Sequence, residues 1–273
     1  MRPAGRAFYK LCGSGNDFVF LDATRTPADD LLDPATIRRL CARGTGIGAD
    51  GVVALTPSSA ATIRMVYYNS DGSRASLCGN AALCTTRLAV ELGVADAGGF
   101  TIESDAGVLD ARIRDGLPEI DLQPVVELTA EWGGAPLAPG ERWIGFARAG
   151  VPHLVIAVDD VEAADVAGRG RLLRHAAALA DGANVNFVAE SAGGGWRMRT
   201  YERGVEGETL ACGTGAVACA AVLASRGAAG LETTLRTSSG LPLRVRSAAT
   251  AGGRPSLAGE GRIVFRGELG ELG

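Results

Sequence analysis

Tyr68-Asn69-Ser70-Asp71-Gly72-Ser73-Arg74-Ala75-Ser76-Leu77-Cys78-Gly79-Asn80-Ala81-Ala82 is echoed later by Tyr201-Glu202-Arg203-Gly204-Val205-Glu206-Gly207-Glu208-Thr209-Leu210-Ala211-Cys212-Gly213-Thr214-Gly215-Ala216. Self-similarity at a fixed offset is the signature of a repeated structural unit. The two cysteines stand 134 residues apart, and Gly107 and Gly240, further along each copy, stand 133 apart. Each cysteine opens a run of small and apolar residues, with Leu83, Cys84, Leu88 and Leu92 in the first and Val217, Ala221, Leu223 and Ala224 in the second. Such a run reads as a helix that is apolar nearly all round, and therefore buried. Gly93 and Gly227 supply its C-terminal cap, and a β-type stretch follows, Phe100 to Ser104 or Thr233 to Thr237.

Further out, Thr62 to Tyr68, Arg197 to Tyr201 and Leu241 to Val245 carry strand chemistry. Val108 to Arg114 faces Leu117 to Leu122 across Asp115-Gly116, a strong hairpin signal. Asn16 to Asp22 is a fainter parallel of Pro152 to Asp159. An outer helix is expected from Asp33 as N-cap and Pro34 in the first turn, with Ile37, Leu40 and Cys41 along one face. The expectation is an α/β (α+β) chain of two half-domains of strands, each with a central helix.

The chain has 273 residues, 47% of them hydrophobic, enough for a substantial core. With 27 Lys+Arg against 31 Asp+Glu the net charge is -4, so no general positive field exists for nucleic acid. Met1 to Leu11 lacks an apolar core of the export type, and no stretch approaches the roughly 18 apolar residues of a membrane helix. A soluble cytoplasmic protein without a membrane partner is expected. Six cysteines, at 12, 41, 78, 84, 212 and 219, then serve thiol chemistry or plain burial and not a disulfide framework. With no C-x-x-C pair and only His153 and His175, no metal site is expected. Gly46-Ile47-Gly48-Ala49-Asp50-Gly51 fits G-x-G-x-x-G, but it follows a helix and precedes the strand-like Val52-Val53-Ala54, the reverse of a dinucleotide site.

A thiol at a helix N-terminus has its thiolate favoured by the helix dipole, and the adjoining N–H groups can hold a carboxylate. Two such ends, face to face across a substrate Cα, could take a proton with one sulfur and return one with the other. That is stereoinversion, with the enolate-like charge met by the N–H groups of Gly79, Asn80, Gly213 and Thr214, and it requires no cofactor in principle. The bland reading is that these thiols are small buried hydrophobes. It suits Cys12, Cys41, Cys84 and Cys219; the repetition of Cys-Gly at two helix starts favours function for Cys78 and Cys212. His153 alone reads as a satisfied core histidine, and Glu202-Arg203 alone as a solvated pair.

Taken together, these residues resemble the diaminopimelate epimerase family over nearly the whole chain. The resemblance is carried by Gly13-Ser14-Gly15-Asn16-Asp17-Phe18-Val19, Gly46-Ile47-Gly48-Ala49-Asp50 and Asn69-Ser70-Asp71-Gly72-Ser73 with Cys78-Gly79-Asn80. Asn184-Val185-Asn186-Phe187, Tyr201-Glu202-Arg203-Gly204 and Glu208-Thr209-Leu210-Ala211-Cys212-Gly213-Thr214-Gly215 complete it. It implies two pseudo-symmetric domains, each a curled, mostly antiparallel sheet around a central helix, with the active site between them. Residues 1–124 would form one, joined by a C-terminal strand within 260–273, and residues 125–259 the other. It implies conversion of LL-2,6-diaminopimelate to the meso form, in lysine and peptidoglycan precursor synthesis, by two bases without a cofactor.

Carried over by position, Cys78 and Cys212 match the bases. Asn16, Asn69 and Asn184 would hold the distal end of the substrate, Arg203 its carboxylate, while Glu202 and His153 would tune or shuttle protons. A homodimer is also suggested, as is reversible air inactivation through a Cys78–Cys212 disulfide. Three departures bear on the distal end: Cys12 where the family often has histidine, Val151 where it often has asparagine, and an extra residue near Glu206. A racemase of another amino acid, such as histidine, on the same fold is the alternative. A non-enzymatic anion-binding module would have no reason to place thiols on both helix starts.

Overall fold

Aromatic and aliphatic residues build β1 (Ala7–Gly13) and β2 (Asn16–Asp22), paired antiparallel through a two-residue turn. Ser14 and Gly15 make that turn with φ of 53° and 110°, as a tight hairpin requires. The computed structural model describes residues 5–247 and 252–270. These fall into two compact units, residues 1–120 with 259–273, and residues 121–258.

In the first unit, α1 (Pro34–Cys41) connects β2 to β3 (Gly51–Thr56), which lies parallel to β2. Asp33 is its N-cap as expected: the carboxylate accepts the N–H groups of Ala35 and Thr36 at 3.0 and 3.1 Å. Antiparallel β4 (Ile63–Asn69) follows, with the short β5 (Arg74–Ala75) beside it. Next comes α2 (Gly79–Glu91), which crosses over to β6 (Phe100–Ser104), parallel to β4. β7 (Gly107–Arg114) and β8 (Leu117–Asp121) form the hairpin that the sequence predicts, with Asp115 and Gly116 at φ of 51° and 77°.

The second unit repeats this order. β9 (Val126–Thr129), β10 (Glu141–Ala149) and β11 (Val151–Val158) pair antiparallel. The helix α3 (Val166–Arg174) leads to β12 (Asn184–Glu190), parallel to β11. β13 (Trp196–Glu202) and β14 (Gly207–Thr209) follow antiparallel. The helix α4 (Gly213–Ser225) then crosses to β15 (Glu232–Arg236), parallel to β13, and β16 (Pro242–Arg246) and β17 (Ser256–Ala258) close the order. The faint echo of Asn16 to Asp22 in Pro152 to Asp159 is thus topological, since each is the strand that runs parallel to the next.

The last strand, β18 (Arg262–Glu268), pairs antiparallel with β1, so the C-terminus completes the first unit's sheet. Strands from well-separated positions in that sheet, β1, β4, β7 and β18, all touch α2, so the sheet curls around it. In the same way β9, β10, β11, β12, β15 and β16 all reach α4. Both sheets are mixed but mostly antiparallel, as the family resemblance implies.

Alternation puts Phe18 and Phe20 on one face of β2, and Val19 and Leu21 on the other, in a core with Ile37 and Leu40 of α1. β11 does the same, sending Leu154 and Ile156 into a core with Leu173 of α3 and Phe187 of β12. Both sheet faces are covered there, which is why β2, β3 and β11 read as nearly unbroken apolar runs. α2 and α4 are each 13 residues long and mostly buried. Each ends in a glycine at positive φ, Gly93 at 68° and Gly227 at 71°. The paired bonds Gly93 N–H to Val90 O with Val94 N–H to Ala89 O recur as Gly227 to Ala224 with Ala228 to Leu223, the Schellman arrangement. Among the described residues no helix is long and apolar enough to cross a membrane.

Candidate active site

In the first unit Cys78 is the N-cap of α2, extended at φ -131° and ψ 120°, and its side chain caps no helix N–H. Its thiol is half-buried and unoxidised. One turn into the helix, buried Asn80 donates from Nδ2 to Oδ1 of Asn16 at 2.7 Å. The Asn16 amide in turn donates to Asp50 Oδ2 at 3.0 Å, and the same oxygen accepts the Asp17 N–H at 3.2 Å. Asn69, at the end of β4, donates from Nδ2 to Ser73 Oγ at 3.0 Å, and its neighbour Ser70 donates from its backbone to the Asp50 carbonyl. One element, the loop from α1 to β3, therefore ties Asn16 and the Asn69 turn together through Asp50. That loop is the Gly46 to Gly51 stretch, which precedes a strand and opens no helix.

Asp17 anchors the other side of this loop. Its carboxylate meets Lys10 Nζ and Arg43 Nη2, both at 2.6 Å. Burial on its own would raise the Asp17 pKa, but the hydrogen bonds from Arg43 and Lys10 outweigh it and hold the carboxyl below its ordinary value. Lys10 is itself 6% exposed and also donates to the Gly48 carbonyl, so it pins the loop from beneath.

In the second unit Cys212 is the N-cap of α4, at φ -131° and ψ 109°, again with no side-chain cap. It is more enclosed than Cys78, at 5% exposure, and its Sγ lies 3.7 Å from the Thr214 hydroxyl. His153 on β11 stands beside Asn184 on β12 in the parallel register. The Asn184 Oδ1 accepts the Arg203 N–H at 2.7 Å, and the Arg203 guanidinium donates to the Asp181 carbonyl at 3.1 Å. Glu202, the last residue of β13, accepts the Thr209 hydroxyl at 2.8 Å. The expected residues of this unit thus cluster at the ends of β12 and β13 and at the start of α4.

His153 is fully buried, and burial, with the Arg203 charge adding to it, pushes its pKa down to about 3. Its ring is neutral at any physiological pH. Asn186, two residues after Asn184 on β12, packs against it and is a residue that sequence reasoning left without a role. The i, i+2 spacing of Asn184 and Asn186 on one strand face was the available signal. A Cβ added to Gly215 would come within 2.4 Å of Asn186 Oδ1 and 3.1 Å of Cys212 Sγ. Gly215 is the residue that lets the β12 amide and the thiol share one space.

The other four cysteines are inert in this setting. Burial raises Cys84 and Cys219 well above the ordinary thiol range and lifts Cys41 to about 11. Cys12 is also raised, by burial first and then by Glu260. No cluster of three or more His, Cys, Asp or Glu suited to a metal ion occurs among the described residues.

Several solved proteins share the fold. A Bacillus anthracis phenazine biosynthesis protein of the PhzF family superposes with a TM-score of 0.75 at 15% identity, over 97% of this chain and 98% of that one. A hydroxyproline epimerase from Agrobacterium vitis superposes with a TM-score of 0.70 at 20% identity, over 98% and 94%. These likenesses define the class of fold to which the chain belongs. Within it, the model of the family "Diaminopimelate epimerase" matches residues 8–124 and 145–251, and the chain belongs to that family. Its relatives include the diaminopimelate epimerase of Gemmatimonas aurantiaca, 50% identical over 97% of this chain and 100% of that protein. Another is the diaminopimelate epimerase of Archaeoglobus fulgidus, 37% identical over 86% and 87%.

Proposed function

We propose that this chain is an isomerase that interconverts LL-2,6-diaminopimelate and meso-diaminopimelate, with Cys78 and Cys212 as its two bases and no cofactor. The observation that carries the reading is the duplication itself: two cysteines, each at the N-cap position of a buried helix of 13 residues, at matching places in two like-built units. A single catalytic thiol would have no use for that symmetry. Inversion needs one group to remove the Cα proton and another, on the opposite face, to deliver one.

In one direction a thiolate takes the proton and its electron pair stays on the substrate as an enolate-like dianion. The second thiol then protonates the opposite face and is left as thiolate; in the reverse direction the roles exchange. The first-turn N–H groups of α2 and α4, from Gly79, Asn80, Gly213 and Thr214, are the donors for the charge that builds on the carboxylate, and preorganised donors of this kind contribute several kcal/mol. Asn16, Asn69 and Asn184 are assigned to the distal end, and Arg203 to its carboxylate, which a guanidinium can hold through two parallel bonds. Glu202 and His153 tune the surroundings in which the protons move. The reading also makes the protein a cytoplasmic enzyme of amino-acid and cell-wall precursor synthesis, a homodimer, and a protein without nucleic acid or membrane as partner.

The test is incubation of the reduced protein with LL-diaminopimelate in heavy water. Chiral chromatography follows configuration and mass spectrometry follows Cα deuterium, with Cys78→Ala and Cys212→Ala alongside. Meso product carrying solvent deuterium, lost in both variants, supports the two-thiol epimerase. Absence of turnover by protein with free thiols rejects the substrate, and other amino acids, histidine first, are then screened.

A further inference from the structure

Asn186 holds its amide in one orientation. The atom 2.9 Å from the Leu154 carbonyl oxygen must be the nitrogen, because a carbonyl only accepts, and the amide oxygen takes the Thr200 hydroxyl at 3.0 Å. That same nitrogen lies 3.3 Å from Nδ1 of His153. An amide N–H can only donate, so Nδ1 is the acceptor, and a neutral imidazole then carries its proton on Nε2. Nε2 is enclosed, on a ring 0% exposed, and has no hydrogen-bond partner among the described residues. Buried donors without a protein acceptor are rare in native structures, and each calls for a reason such as a functional role or an acceptor from outside the chain. The Arg203 charge reaches the same ring, so an acceptor arriving there is favoured if it is anionic.

We propose that Asn186 is a positioning residue that fixes His153 as a neutral Nε2–H donor, and that His153 hydrogen-bonds a carboxylate of the bound substrate without relaying a proton as a base. The proposal rests on the epimerase reading for its substrate, but the state of the ring is separate from it. The Asn186 amide and Cys212 Sγ also both pack against Gly215, where an added Cβ would lie 2.4 Å from Asn186 Oδ1 and 3.1 Å from Cys212 Sγ. A tautomer fixed here sets the hydrogen-bonding character of the pocket next to that thiol.

The test uses full-length protein labelled with nitrogen-15 and long-range proton–nitrogen spectra of the imidazoles. Only two histidines are present, and His175→Asn assigns the other. The expected result is a neutral His153 with Nε2 protonated, unchanged across neutral and mildly acid pH. A ring protonated on Nδ1, or an imidazolium near neutral pH, overturns the proposal, and this arm needs no substrate. Asn186→Asp puts an acceptor against Nδ1 and is expected to move the proton there or charge the ring. If that variant fails to fold, the wild-type spectrum still decides.

A kinetic arm separates donor from base, using whichever amino acid the protein is found to epimerise. His153→Gln keeps a donor near the Nε2 position but cannot accept and release a proton at working pH. It is expected to lose no more than about tenfold in kcat/KM, carried by KM, with the pH profile of kcat unmoved, whereas His153→Ala loses far more. A collapse of kcat in His153→Gln equal to that of Cys212→Ala, or loss of one limb of the pH profile, overturns the donor role.

Discussion

Asp50 carries no role in the proton chemistry, yet its carboxylate is the joint on which Asn16 is set. Asp50→Ala removes the acceptor of both the Asn16 amide and the Asp17 N–H. The expected outcome in steady-state assays is a KM for diaminopimelate raised about tenfold with a smaller change in kcat, as follows if Asn16 holds the distal end as proposed. Gly215→Ala acts on the other unit: a methyl 2.4 Å from Asn186 Oδ1 and 3.1 Å from Cys212 Sγ forces one of them to move. Overpacking of this kind costs about 1–3 kcal/mol, so a lowered melting temperature and a greater loss of kcat than Asp50→Ala are expected together. At this scale the sequence was legible where chemistry was duplicated and not where it depended on partners distant in the chain. Cys78 and Cys212 announce themselves by repetition, whereas Asp50, Asn186 and Lys10 act through hydrogen bonds to residues far along the chain, Asn16, His153 and Gly48. Of these, only Asn186 carries a mark in the sequence, its i, i+2 spacing from Asn184.

Among the elements, α1 offers the cleanest separation of stability from activity. Asp33 supplies both side-chain bonds at its N-terminus, and Asp33→Ala is expected to lower the urea midpoint of unfolding, with kcat unchanged. The caps of α2 and α4 predict a matched pair. Gly93→Ala and Gly227→Ala each force a Cβ into the left-handed region at φ near 70°, at a cost of about 1 kcal/mol. Similar losses in both variants would reflect the same device used twice; a loss in one alone would break the equivalence of the two helices. Caps, the Asp115-Gly116 hairpin and the buried helices were all readable, because each is encoded within a few residues. The parallel pairings of β2 with β3 and β11 with β12 were not, since a crossover through α1 or α3 leaves no local mark beyond an apolar run.

Over the whole molecule, the buried neutral His153 ties stability to pH. Its folded pKa, about 3, lies below the ordinary 6.5. Between these values the unfolded chain binds a proton that the folded chain refuses. Stability is therefore full above pH 6.5 and falls as the pH drops toward 3, with a slope of up to about 1.4 kcal/mol per pH unit from this group. Urea midpoints measured on the acid side should show that slope in wild type and a flatter one in His153→Gln. An identical slope in both would assign the acid sensitivity to carboxylates such as Asp17, whose pKa is lowered in the fold.

The return of β18 to β1 has a consequence for how the chain is made. Residues 121–258 are contiguous and emerge from the ribosome complete, so the second unit can fold while synthesis continues. The first unit cannot: its opening strand waits for an antiparallel neighbour that is made only when Arg262–Glu268 is reached. During translation the free edge of β1 is a nascent-chain hazard of the sort that chaperones shield, and a ribosome stalled before residue 262 would release a protein with its second half finished and its first half open.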